Sequence, residues 1–243
     1  MSFSKLSLLA VAATLTFSGL SAHADSLTVG NFYSGNVKGN SNAGDITYTF
    51  NGSRQIDSAG AGNFTGTTAI INGKPVAFTA VYCVDLFDTI DLGGTYNASF
   101  NGSGVVNGAP VNNAAAIAWL ITNLAPEATT TAENEGLQAA IWATEYNGKN
   151  GEPTFDFLAN DNSFAVDAAF NADIAALGKN TASLSSVDWI TSTSGSGWNE
   201  SYNQGLVGLV NDPPPAVPEP ATLSLFGTGI LGLAGLVRRR LTA

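Results

Sequence analysis

Seventeen residues without a charge, Ala221 to Val237, constrain this chain more than any other stretch of it. As a helix they would reach about 25 Å, a little short of the roughly 30 Å hydrocarbon core of a bilayer. Slight thinning of the bilayer or snorkelling of flanking side chains accommodates such a span. Val217-Pro218-Glu219-Pro220 stands before it. Each proline fixes its own φ and pushes the preceding residue towards extended backbone, so the entry is stiff and non-helical. Arg238, Arg239 and Arg240 close the run, and such a cluster stays on the cytoplasmic side. The expectation is one C-terminal transmembrane helix over 221–237.

The order Pro-Glu-Pro, short apolar helix, arginine cluster resembles the PEP-CTERM sorting tail of Gram-negative bacteria. The resemblance covers residues 217–243, with Pro218, Glu219, Pro220, Arg238, Arg239 and Arg240 as its sorting motif. It implies an inner-membrane-anchored precursor, held by the C-terminal helix and cut by an exosortase. The product then passes to the cell surface or extracellular matrix.

The first residues agree with export. Lys5 gives a thin positive start, Leu6 to Leu20 is apolar, and Ala22-His23-Ala24 is a small-x-small cleavage site. Residues 1–24 therefore read as a signal peptide, 25–211 as an ectodomain, and 212–216 as a proline-rich linker.

Between residues 25 and 216 lie five basic and eighteen acidic side chains, a net charge of −13. That balance argues against nucleic acid and anionic lipid as partners. The only histidine, His23, falls in the signal peptide. Ser-His-Asp and Cys-His catalysis and His-ligated metal sites are thus excluded from the mature chain. Asp85, Asp88 and Asp91 do not have EF-hand spacing and read as a solvated loop. No cofactor, no metal and no enzymatic turnover are expected. Cys83 is the sole cysteine, so no internal disulfide forms.

Periodicity divides the ectodomain. Ile46 to Phe50 alternates and meets Asn51-Gly52; Ala69 to Ile71 runs into Asn72-Gly73 and returns through Val76 to Tyr82. Both read as hairpins, the second leading directly to Cys83. Thr95 to Phe100 reads as another strand. Ala114, Ile117, Ala118, Ile121 and Leu124 then recur at helical spacing, with Asn112 or Asn113 as N-cap and Pro126 as the stop. Thr130 and Glu133 form a capping box opening a helix to about Tyr146. A third helix spans Ser163 to Leu177, with Val166, Ala169, Phe170, Ile174 and Leu177 on one face, and Leu184 to Thr191 reads as a late strand. The fold class is α+β: an antiparallel β-rich N-terminal part, a helical part, a late strand, then the transmembrane helix.

Two stretches carry possible chemistry. Tyr82-Cys83-Val84-Asp85 ends a strand, and Gln138-Ala139-Ala140-Ile141-Trp142 lies within the second helix. Gln138 shares a helix face with Ile141, Trp142 and Glu145. Together the stretches resemble the thioester domains of bacterial surface adhesins, which carry an aromatic-Cys-aliphatic motif and a later Gln-x-Ala-Ile-Trp motif. Leu137 stands where that family commonly has Thr.

The resemblance implies a thioester between Cys83 and Gln138 and covalent attachment to an amine on a surface or matrix partner. Tyr82 and Trp142 would exclude water, and Asp85 or Glu145 would take a proton or orient the amide. The alternative is a non-covalent structural or carbohydrate-binding matrix component in which Cys83 is a reduced core thiol, the usual fate of a lone buried cysteine.

Overall fold

The computed structural model describes residues 25–32, 46–56, 61–148, 153–158, 162–194 and 201–210. Strands lead: β1 (Ser26–Thr28), β2 (Asn31–Phe32), β3 (Thr47–Phe50), β4 (Ser53–Ile56), β5 (Phe64–Thr65), β6 (Thr68–Ile71), β7 (Lys74–Cys83), β8 (Thr95–Asn101), β9 (Val105–Val106) and β10 (Ala109–Pro110). Helices α1 (Ala114–Asn123) and α2 (Thr131–Glu145) follow, then β11 (Phe155–Phe157), α3 (Phe164–Leu177), β12 (Asp188–Ser194), β13 (Ser201–Tyr202) and β14 (Leu206–Val210). The mixed α/β class with a β-rich N-terminal part matches expectation.

Antiparallel pairing runs β12-β14-β7-β6-β1-β8, and β8 pairs back onto β12. The sheet therefore closes into a six-stranded barrel, with β13 added at β12. Closure removes the exposed edges that an open sheet would present. Both expected hairpins are present. Their Asn-Gly turns hold φ of 49° and 79° at Asn51 and Gly52, and 52° and 74° at Asn72 and Gly73. Two consecutive positive φ angles define the type I′ turn that matches strand twist.

Inward residues of the barrel form one apolar cluster with Leu27, Ile71, Phe78, Val81, Cys83, Ile190 and Leu206. The outward face around Tyr82, Trp189 and Val207 is covered by Ile117, Leu120 and Ile121 of α1 and Leu137 and Ile141 of α2. A bulge sets this division. Leu209 pairs with Ala80 but Val210 pairs with Phe78, leaving Thr79 as the extra residue. One inserted residue inverts the side-chain alternation. Phe78 faces inward before the bulge, and Val81 and Cys83 face inward after it.

Several expectations need correction. Asn113 occupies the N-cap of α1, but with φ 54° and no side-chain cap. Its Nδ2 instead donates to Thr144 O at 2.7 Å, and Asn112 Nδ2 donates to Glu145 O at 2.6 Å. The two asparagines thus satisfy carbonyls at the end of α2 that the helix leaves unpaired. The late strand starts at Asp188, because Leu184–Ser186 forms a 3₁₀ turn. Ile174 is 37 % exposed, so α3 buries a narrower face than its sequence implies. Strands β9, β10, β11, β13 and β14 fall outside the expected strands. The capping box of α2 is present, with Thr130 N donating to Glu133 Oε2 at 2.8 Å and Glu133 N to Thr130 Oγ1 at 3.2 Å. The signal peptide and the 221–237 helix lie outside the described residues. Among the described residues no helix is long and apolar enough to cross a membrane.

Helices α2 and α3 cross at Gly136. A Cβ built there would sit 2.6 Å from Ala169 Cβ and 2.7 Å from Phe170 N. Gly136→Ala should lower stability although alanine favours helix by about 1 kcal/mol. The overpacking, about 1–3 kcal/mol, should exceed that gain, which a urea melt will register as a lower midpoint. A raised midpoint would show that the helices part easily.

Candidate functional site

Strand β7 pairs with β6 only through Lys74 to Ala77. Beyond the bulge no described strand pairs with its β6-side edge, yet its main chain is buried. Side-chain amides replace the missing strand. Asn63 Oδ1 accepts from Val81 N at 2.9 Å. Gln138 Oε1 accepts from Cys83 N at 2.9 Å, and Gln138 Nε2 donates to Cys83 O at 2.7 Å. A carboxamide offers one acceptor and two donors in a plane, so it can mimic the pairing of a neighbouring strand residue. Gln138 is 0 % and Cys83 2 % exposed. The two residues that sequence reasoning singled out are thus brought together across 55 positions.

The supporting residues divide between faces. Trp142, 1 % exposed, shares the inner cluster with Cys83, Ala139 and Leu206. Its Nε1 has no hydrogen-bond partner among the described residues. Tyr82 points the other way, and its hydroxyl donates to Asn134 Oδ1 at 2.6 Å. Asn134, one turn before Gln138, passes the contact on by donating to Ala128 O at 3.0 Å and Thr130 O at 2.8 Å. Sequence reading missed Asn134 and Asn63. The i, i+4 relation of Asn134 to Gln138 was the available signal for the first; Asn63 offered none.

Asp85 and Glu145 line one cleft of about 210 Å³, together with Val84, Phe87 and Tyr146. The Asp85 carboxylate is engaged in its loop: Oδ1 accepts from Phe87 N at 2.9 Å and Oδ2 from Asn107 Nδ2 at 3.1 Å. Burial and then the Asp85 carboxylate, through a hydrogen bond and its charge, push the Asp88 carboxyl above its usual range. Among the described residues no group of three or more His, Cys, Asp or Glu could hold a metal ion.

A second acidic cluster lies where α2 meets α3. Burial, and then the charge of Glu133, raise Asp173 to about 7. Glu133 itself is held low by the N–H groups of Thr129 and Thr130. Tyr82 is pushed up by burial and, secondarily, by Asp173.

Two outcomes test this geometry. Replacing Gln138 by methionine strands the N–H and C=O of Cys83, at about 1–3 kcal/mol each. Gln138→Met should therefore lose about 2–6 kcal/mol in chemical denaturation, and a loss below about 1 kcal/mol would mean the pairing is dispensable. Asp173 binds its proton more tightly folded than unfolded, so its contribution is complete below the ordinary value near 4 and vanishes as pH rises through about 7. Asp173→Asn should leave the melting temperature nearly unchanged at pH 4 and raise it relative to wild type at pH 8. An advantage that is constant with pH would contradict the burial.

Among known families, residues 216–240 match the model described as the PEP-CTERM protein-sorting motif. The match spans Pro218, Glu219, Pro220, Arg238, Arg239 and Arg240. No curated protein and no solved structure matches the chain. The motif implies an exosortase as processing partner and an exported, membrane-anchored precursor.

Proposed function

We propose that residues 25–211 form an ectodomain that stores an internal thioester between Cys83 and Gln138 and uses it once, to attach covalently to an amine on a surface or matrix component. The observation that carries this reading is the pair of hydrogen bonds fixing the Gln138 carboxamide against the main chain of Cys83. Holding a carboxamide beside the one thiol of the chain supplies the proximity that an otherwise slow acyl transfer needs. The Cys83 sulfur attacks the Gln138 carboxamide carbon, the C–N bond breaks, and ammonia leaves with the thiol proton. An amine later attacks the thioester carbon, forms an amide to residue 138, and returns Cys83 as a thiol. Trp142 and its apolar neighbours keep water from the acyl group. Asp85 and Glu145 line the cleft beside Val84 and suit an approaching ammonium or a departing proton. Four lysines between residues 25 and 216 leave few amines to consume the group prematurely. Because the acyl group is spent, this is not enzymatic turnover.

The same geometry favours one other reading. The Gln138 amide already satisfies both main-chain groups of Cys83, so it can act as a strand substitute alone, with Cys83 a reduced core thiol. The protein is then a non-covalent structural or carbohydrate-binding matrix component.

Intact mass of the purified protein, with and without methylamine, separates the two. The thioester predicts a mass short by one ammonia, converted by methylamine to a stable adduct at residue 138 and abolished in Cys83→Ala. A full mass with Cys83 alkylated after unfolding would establish the structural reading instead.

A further inference from the structure

Among the described residues, helices cover the outward side chains of the barrel around β7, β14 and the start of β12. Elsewhere on the barrel, Asp25 and residues of β8, β9, β12 and β13 line a cleft of about 570 Å³ to which no helix among the described residues contributes. Register places its polar side chains in rows. Asn97 pairs with Thr193, and Thr193 with Tyr202. Ser99 and Thr191 form the next row. With strands about 4.8 Å apart, the first row runs about 10 Å across the sheet.

Three properties of this surface fix what fits it. The first is charge. Among the described residues no lysine or arginine lines the cleft, and the one carboxylate that does, Asp25, already accepts from Asn72 N at 2.7 Å. An anionic polymer would find no counter-charge there, and the formal charge of −10 on the whole chain would repel it. The second is unused hydrogen-bonding capacity. Asn97 and Ser99 are exposed, and the side chains of Asn97, Ser99 and Thr193 make no hydrogen bond among the described residues. Amide and hydroxyl groups both donate and accept, which suits ligands whose hydroxyls do the same. The third is Tyr202, 53 % exposed at the end of the first row. Its flat amphipathic ring offers an apolar face beside polar neighbours.

We propose that this face binds an uncharged polysaccharide, with one pyranose ring stacked on Tyr202 and neighbouring sugar hydroxyls bonded to Asn97, Ser99 and Thr193. The site is separate from the Cys83 and Gln138 chemistry and holds whichever reading of that pair is correct. It would bring the protein against a neutral glycan without covalent attachment.

Native affinity electrophoresis of the full chain in mild detergent tests this, in gels containing dextran, galactomannan or hydroxyethylcellulose, with alginate as the anionic counterpart. At least one neutral polymer should retard the protein, and alginate should not. Tyr202→Ala should weaken retardation roughly fivefold or more, the factor that loss of one aromatic stacking contact gives, while Tyr202→Phe keeps it. Asn97→Ala, on a different strand, should weaken it as well, which guards against a local disturbance of β13. Cys83→Ala should leave it unchanged. No retardation by any of the three neutral polymers, stronger retardation by alginate, or undiminished retardation in Tyr202→Ala with Asn97→Ala would overturn the proposal.

Discussion

The architecture depends on one side-chain amide. Past its bulge, β7 loses β6 as a neighbour and must still bury its main chain. Gln138 supplies both a donor and an acceptor to Cys83 from the middle of α2. That contact seats the helix on the barrel. With Gln138 in place, Ala139 and Trp142 turn to the inner cluster and Leu137, Ala140 and Ile141 to the outer one. The helix therefore touches both apolar clusters, and a polar residue marks the seam between them. A buried amide is tolerated there because its hydrogen-bonding groups meet main-chain partners.

Much of this was legible because local chemistry and final fold agree. Asn-Gly turns, the Thr130 to Glu133 capping box and the Ser163 start of α3 each need only neighbouring residues, and each is present. The pairing of Cys83 with Gln138 was legible from two motifs. What failed was non-local. Strict alternation from Val76 and Phe78 would turn Tyr82 inward and Cys83 outward; the bulge at Thr79 reverses both, and nothing in the local sequence announces it. Asn113 stands at the N-cap of α1 as expected, but its side chain and that of Asn112 serve the end of another helix some thirty residues away. Strand β14, Leu-Val-Gly-Leu-Val, is a short apolar run without alternation beyond a glycine, a pattern that periodicity does not assign. Among the site residues, Trp142 lies in the same cluster as Cys83, whereas Tyr82 lies in the other.

Charge is distributed to match. Acidic groups gather in two places, the Asp85 and Glu145 cleft near the end of β7 and the Glu133 and Asp173 contact between α2 and α3. The cleft across β8 and β12 is nearly neutral. One surface is thus suited to cations and another to uncharged polar ligands, on a single barrel.

The position of β14 in the chain has a consequence for how the molecule is made. Leu206 lies against Cys83, more than a hundred and twenty residues after it, and only a short segment separates Val210 from the sorting tail. A chain delivered from its N-terminus cannot complete the barrel until almost all of the ectodomain has emerged. Until then β7 lacks the strand that flanks its cysteine, and the thiol stands open to its surroundings. Such late, long-range pairing is slow by its topology. Sealing of the cysteine therefore waits for the last strand of the ectodomain to arrive.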